Sequence, residues 1–110
     1  MSDRGKLTYG NFGKFRHVWI QYADRQVAEA DEILANPPAD RARAKRLQWR
    51  AAKFLETAGG FYRRAELGLL AKAAWGLAAE VYGAIGRTDD AATCSRIARS
   101  VPDYWTEDEA

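Results

Sequence analysis

Arg43, Arg46, Arg50 and Lys53 recur at i, i+3, i+7 and i+10. On a helix that spacing holds four cations within about 80° of one another. Trp49 flanks the row. A row of cations beside an aromatic ring can grip phosphates and stack a base. The same five residues, Arg43, Arg46, Trp49, Arg50 and Lys53, are equally the candidate contacts for a protein partner. Two other arrangements fit the row: a solvated face opposite an apolar one, and internal pairing with Glu29, Asp31 and Glu32 or with the acid-rich end of the chain.

No catalytic residues emerge elsewhere. His17 is the only histidine, and no Ser or Cys near it is placed to act as a nucleophile. Cys94 is the only cysteine, so neither an internal disulfide nor a four-ligand zinc site is expected. Asp89 and Asp90 read as anions at a helix start rather than as a catalytic pair. There is no glycine-rich loop between a strand and a helix. The expectation is a protein without catalytic activity, cofactor or metal.

The elements that position these residues follow from composition and pattern. The chain has 110 residues, 47% apolar and 29% charged, with only 3 Pro. That length suits one domain able to bury its own core. The net charge of +2 conceals blocks: +3 over residues 1–22, −4 over 23–40, +7 over 41–64 and −4 over 65–110. The first residues carry no apolar run, so no secretory signal is expected. The least charged window, Leu67 to Gly86, still contains Lys72 and Glu80, which argues against a membrane span. The simplest location is a reducing cytoplasm.

Four helices are predicted, in an all-α compact four-helix bundle. The first covers about Gly13 to Ala35, with Phe15, Val18, Trp19, Tyr22, Ala30 and Ile33 on one stripe, and stops at Asn36-Pro37-Pro38. The second runs from about Asp40, an N-cap or first-turn anion, to Ala58, with Gly59-Gly60 as its end. The third, Phe61 to Ile85, is apolar all round, the pattern of a buried central helix. Gly86 closes it. Thr88 suits the N-cap of a fourth helix, whose inner stripe is Ala91, Cys94, Ala98 and Val101. Residues 1–12 read as a flexible N-terminal arm, 13–102 as a single helical domain, and 103–110 as an acidic tail carrying Tyr104 and Trp105.

Residues 75–102 read Trp75-x3-Ala79-x2-Tyr82-x3-Gly86-x4-Ala91-x6-Ala98-x3-Pro102. This stretch resembles one tetratricopeptide repeat, a helical hairpin in which aromatic residues fill the space between helices, small residues let them approach, and a glycine forms the turn. Ala78, Ser95 and the position of Pro102 depart from that pattern. The four Trp residues, at 19, 49, 75 and 105, show no fixed period. The resemblance implies a TPR-like C-terminal hairpin and a role in protein recognition.

The functional expectation is a small cytoplasmic protein–protein interaction module: an adaptor, inhibitor or complex subunit. The alternative is a helical nucleic-acid-binding protein or subunit using the basic stripe of the second helix. No membrane partner is expected. A homodimer would follow if the other helices leave the third uncovered.

Overall fold

The structure, a computed structural model, describes residues 10–102, with side chains from Arg16 onward. Residues 1–9 and 103–110, and with them most of the expected arm and all of the tail, lie outside the described residues. The four helices are α1 (Gly10–Ala35), α2 (Arg41–Arg64), α3 (Gly68–Ala84) and α4 (Thr88–Ser100), and among the described residues there is no strand. The all-α four-helix reading therefore stands. Residues 10–12, expected in the arm, belong to α1.

Local chemistry sets the helix ends. Asp40 caps α2 as expected: its carboxylate accepts from the amides of Ala42 (3.0 Å) and Arg43 (3.4 Å). Gly59 and Gly60, however, do not end α2, which continues four residues further to Arg64. The turn comes at Ala65-Glu66-Leu67, where Glu66 takes the left-handed conformation at φ 62°. The Leu67 amide donates to Tyr62 O and the Glu66 amide to Arg63 O, both at 2.9 Å. Those two bonds form a Schellman motif, which needs one left-handed residue but not necessarily glycine. The α3–α4 turn repeats it with Gly86 at φ 85°. There Arg87 N donates to Tyr82 O (2.8 Å) and Gly86 N to Gly83 O (3.1 Å). Thr88 becomes the first residue of α4 rather than its N-cap, because the turn itself delivers Arg87 to that position. Asp89 and Asp90 do occupy the first turn of α4.

The two turns lie twenty residues apart, and the surroundings of each match. Tyr62 and Tyr82 both stand four residues before the left-handed residue, and Ala71 and Ala91 both stand five after it. Each tyrosine reaches back to a carboxylate on the preceding helix. The Tyr62 hydroxyl donates to Asp24 of α1 (2.5 Å), and the Tyr82 hydroxyl donates to Glu56 of α2.

Each helix packs chiefly on its neighbours in the chain. The core forms two layers. One gathers Ala30, Ala51, Ala52, Leu55, Ala78, Ala79, Tyr82 and Cys94. The other gathers Ala23, Ala58, Tyr62, Ala71, Ala74 and Val101. Val27 and Trp75 touch both. Alanine dominates because a methyl side chain lets helix axes approach near the lower end of the usual 8–10 Å range. Gly59 extends that logic: a Cβ built on it would stand 2.5 Å from Trp75 Nε1. The residue read as a helix stop is instead a notch for an indole.

The third helix is not enclosed. Leu69, Leu70 and Leu77 are 53%, 46% and 46% exposed. Its buried side is Ala71, Ala74, Ala78, Ala79 and Tyr82, held between α2 and α4. Ala73, Leu77 and Glu80 share the exposed side. Apolar character all round did not mean burial all round, because α1 packs on α2 and leaves this side of α3 open.

Candidate functional site

The basic row of α2 lies on its solvent face, as the spacing predicts: Arg43, Arg46, Arg50 and Lys53 are exposed and Trp49 is half-buried. Ala51, Ala52, Leu55 and Ala58 face the core from the other side. Asp40 fixes where α2 begins, and therefore where the arginines emerge.

The structure adds what the α3–α4 turn brings. Ile85 and Arg87 stand against the first half of α2 and close one side of an open cleft of about 600 Å³. Its apolar surfaces are Leu47, Trp49 and Ile85. Its cations are Arg43, Lys45, Arg46 and Arg50, with Arg87 at the edge. Arg87 is already neutralised: Nη2 lies 2.8 Å and Nε 2.9 Å from Asp90 Oδ2. Among the described residues no carboxylate pairs with Arg43, Lys45, Arg46 or Arg50. The expected alternative of pairing with Glu29, Asp31 and Glu32 is not realised, and those three acids are exposed. The acid-rich tail lies outside the described residues.

Lys53 behaves differently from the rest of the row and does not line the cleft. Its ammonium sits 5.2 Å from the centre of the Trp49 ring, 5.9 Å from that of Tyr82 and 3.8 Å from Glu56 Oε2. It braces α2 against α3 through a cation–π pair and a shared carboxylate. Trp49 is fixed in consequence. Its Nε1 is buried without an acceptor, so the indole meets the cleft as hydrocarbon surface.

A second aromatic group joins α1 to α2. Trp19 stacks on Phe61 (centroids 5.8 Å), Tyr22 packs edge-on against Phe61 (5.5 Å), and Arg64 lies 5.2 Å from the Trp19 ring centre. These contacts hold α1 on α2 and stand apart from the cleft. His17 is exposed on α1.

Cys94 is buried between α3 and α4. Burial first, then the nearby Glu56 and Asp90 charges, push its thiol up from 9.0 to about 11. Burial and their carboxylate partners likewise raise the Tyr62 and Tyr82 phenols. The fold therefore favours all three groups in their protonated, neutral forms. Their contribution is complete below the ordinary thiol value of 9.0 and is lost as pH climbs through about 11 for Cys94. Stability is expected to hold across neutral pH and fall on the alkaline side of 9, measured by urea unfolding at a series of pH values. At neutral pH a thiol reagent should modify Cys94 only as fast as α4 opens. Immediate stoichiometric labelling of the native chain would contradict this.

Among the described residues no group of three His, Cys, Asp or Glu side chains gathers as a metal site, and no helix is long and apolar enough to cross a membrane. Sequence reasoning found Arg43, Arg46, Trp49 and Arg50 but missed Lys45, Leu47, Ile85 and Arg87 as lining residues. Ile85 and Arg87 come from a turn some forty residues along the chain, and no spacing rule links them to α2. Comparisons with protein-family models, with curated proteins and with solved structures find no match.

Proposed function

We propose that this chain is a non-catalytic protein-interaction module, an adaptor, inhibitor or complex subunit. Its cleft takes a partner segment that presents carboxylates beside an aromatic or branched apolar side chain. The observation that carries this reading is the pairing of four unneutralised cations with three apolar surfaces in one open cleft. Arginine forks hold carboxylates by charge-assisted hydrogen bonds. Leu47, Trp49 and Ile85 offer the buried contact area on which binding energy depends. The resemblance of the α3–α4 hairpin to a tetratricopeptide repeat supports the same reading, since that hairpin supplies Ile85 and the family recognises protein segments.

Nucleic acid is the less favoured ligand on the length of the cationic track. The free cations of the stripe, Arg43 to Arg50, span only about 10 Å of helix, too short a track to follow a backbone. The test is fluorescence anisotropy with two labelled probes of equal charge. One is an acidic peptide with a central Trp, the other a single-stranded oligonucleotide. The peptide should bind at physiological salt and the oligonucleotide should not. The reverse result would sink the proposal and promote the nucleic-acid reading.

A further inference from the structure

The ligand chemistry required by the cleft is written in the chain itself. Residues 103–109 read Asp-Tyr-Trp-Thr-Glu-Asp-Glu, two aromatic residues among four acids. We infer that the cleft of one copy receives this segment from a second copy, with Trp105 against Trp49 and Ile85 and the carboxylates on Arg43, Arg46 and Arg50. The inference rests on the reading of the cleft given above and adds the identity of one ligand.

Charge is the first support. The cleft carries cations that no described carboxylate neutralises, and the segment carries acids that follow directly on α4. Reach is the second, and it selects a second copy over the same chain. Val101 is 2% exposed, pinned among Ala23, Ala58, Tyr62, Ala71 and Ala74 at one end of the bundle. The cleft is at the other end, beside Arg87. The intervening α4 has 13 residues, which at 1.5 Å each separates Val101 from Arg87 by about 20 Å. Trp105 is four residues beyond Val101, and four residues extend at most about 14 Å. A chain's own segment would therefore have to be fully extended, with its indole thrown forward, to touch its own Ile85, a geometry costly in chain entropy. A second copy has no such limit, and reciprocal exchange closes the pair with two identical junctions.

The experiment is sedimentation velocity on the full chain over a range of concentrations, with two variants. In Arg46→Glu/Arg50→Glu the cleft is reversed in charge. In Trp105→Ala/Glu107→Lys/Asp108→Lys the segment is disabled outside the described helices. The unaltered chain should shift from 12.3 kDa towards twice that mass as concentration rises. About 0.5 M salt, which shortens the screening length to a few ångströms, should reverse the shift. Each variant alone should stay at one chain, and an equimolar mixture of the two should recover a dimer, since one still offers a segment and the other a cleft. Circular dichroism confirms that both variants are folded.

A chain that stays single at every concentration overturns the inference, as does association that both variants retain. A single chain whose peptide affinity rises on Trp105→Ala also overturns it, because the segment would then block its own cleft. If the labelled acidic peptide still binds while the chain does not self-associate, only this inference fails. If neither occurs, the reading of the cleft fails with it.

Discussion

Gly59→Ala is expected to lower the unfolding free energy by about 1–3 kcal/mol, the usual cost of inserting a methyl group into a packed interior. Helix propensity alone predicts the opposite, since alanine replaces glycine inside a helix with a gain of roughly 0.5–1 kcal/mol. Packing decides the sign. The new Cβ would stand 2.5 Å from Trp75 Nε1 and 2.7 Å from Cδ1 and Cε2, so it meets a ring rather than the end of a flexible chain. The indole in turn touches both core layers and cannot swing aside freely. Gly60→Ala is the control. Nothing lies within 4 Å of a Cβ at that position, so the same change one residue on should raise stability by roughly 0.5–1 kcal/mol. Urea denaturation of the two variants gives both signs directly. Equal stabilisation by both would show that Trp75 does not sit in the notch.

Arg46→Glu combined with Arg50→Glu is expected to weaken the acidic Trp peptide by about 30-fold, near 2 kcal/mol. Each exposed ion pair is worth at most about 1 kcal/mol, and a like charge in its place costs a similar amount. The loss should shrink as salt rises, because screening removes attraction and repulsion together. Lys53→Ala separates the two roles on this helix face. Lys53 braces Trp49, Tyr82 and Glu56 rather than lining the cleft, so its removal should lower stability and change peptide affinity less than the double arginine change. Isothermal titration with the two variants checks the order. A larger affinity loss from Lys53→Ala would move the binding surface towards the second half of α2.

Helix class and the solvent face of α2 were legible in the sequence because both depend on local periodicity. Proline at 37 and 38, Asp40 and Gly86 mark boundaries by backbone chemistry, and the structure uses all of them. Gly59-Gly60 misled because glycine has two uses: it permits left-handed backbone, and it leaves space. Only the position of Trp75 shows which applies. Glu66 was invisible as a turn for the complementary reason, since a residue other than glycine holds the left-handed conformation there. The repeated arrangement of Tyr62 with Glu66 and Tyr82 with Gly86 has a period of twenty residues that the tryptophan spacing does not share. Half of the cleft lining was legible: Arg43, Arg46, Trp49 and Arg50, on one helix. Lys45 and Leu47 of that helix fall outside the cationic spacing, and Ile85 and Arg87 depend on how α3 folds back on α2, which no local pattern encodes.

Packing between chain neighbours also governs how the molecule assembles in time. Almost every contact closes a hairpin of two consecutive helices, and the connecting segments are short. Little loop entropy is spent before contacts form, so folding should fall in the microsecond-to-millisecond range of helical proteins with low contact order. The α2–α3 pair lies at the centre of the series and is the natural nucleus, with α1 and α4 adding from either side. Substitutions along the α2–α3 seam should slow folding, whereas those on α4 should chiefly speed unfolding.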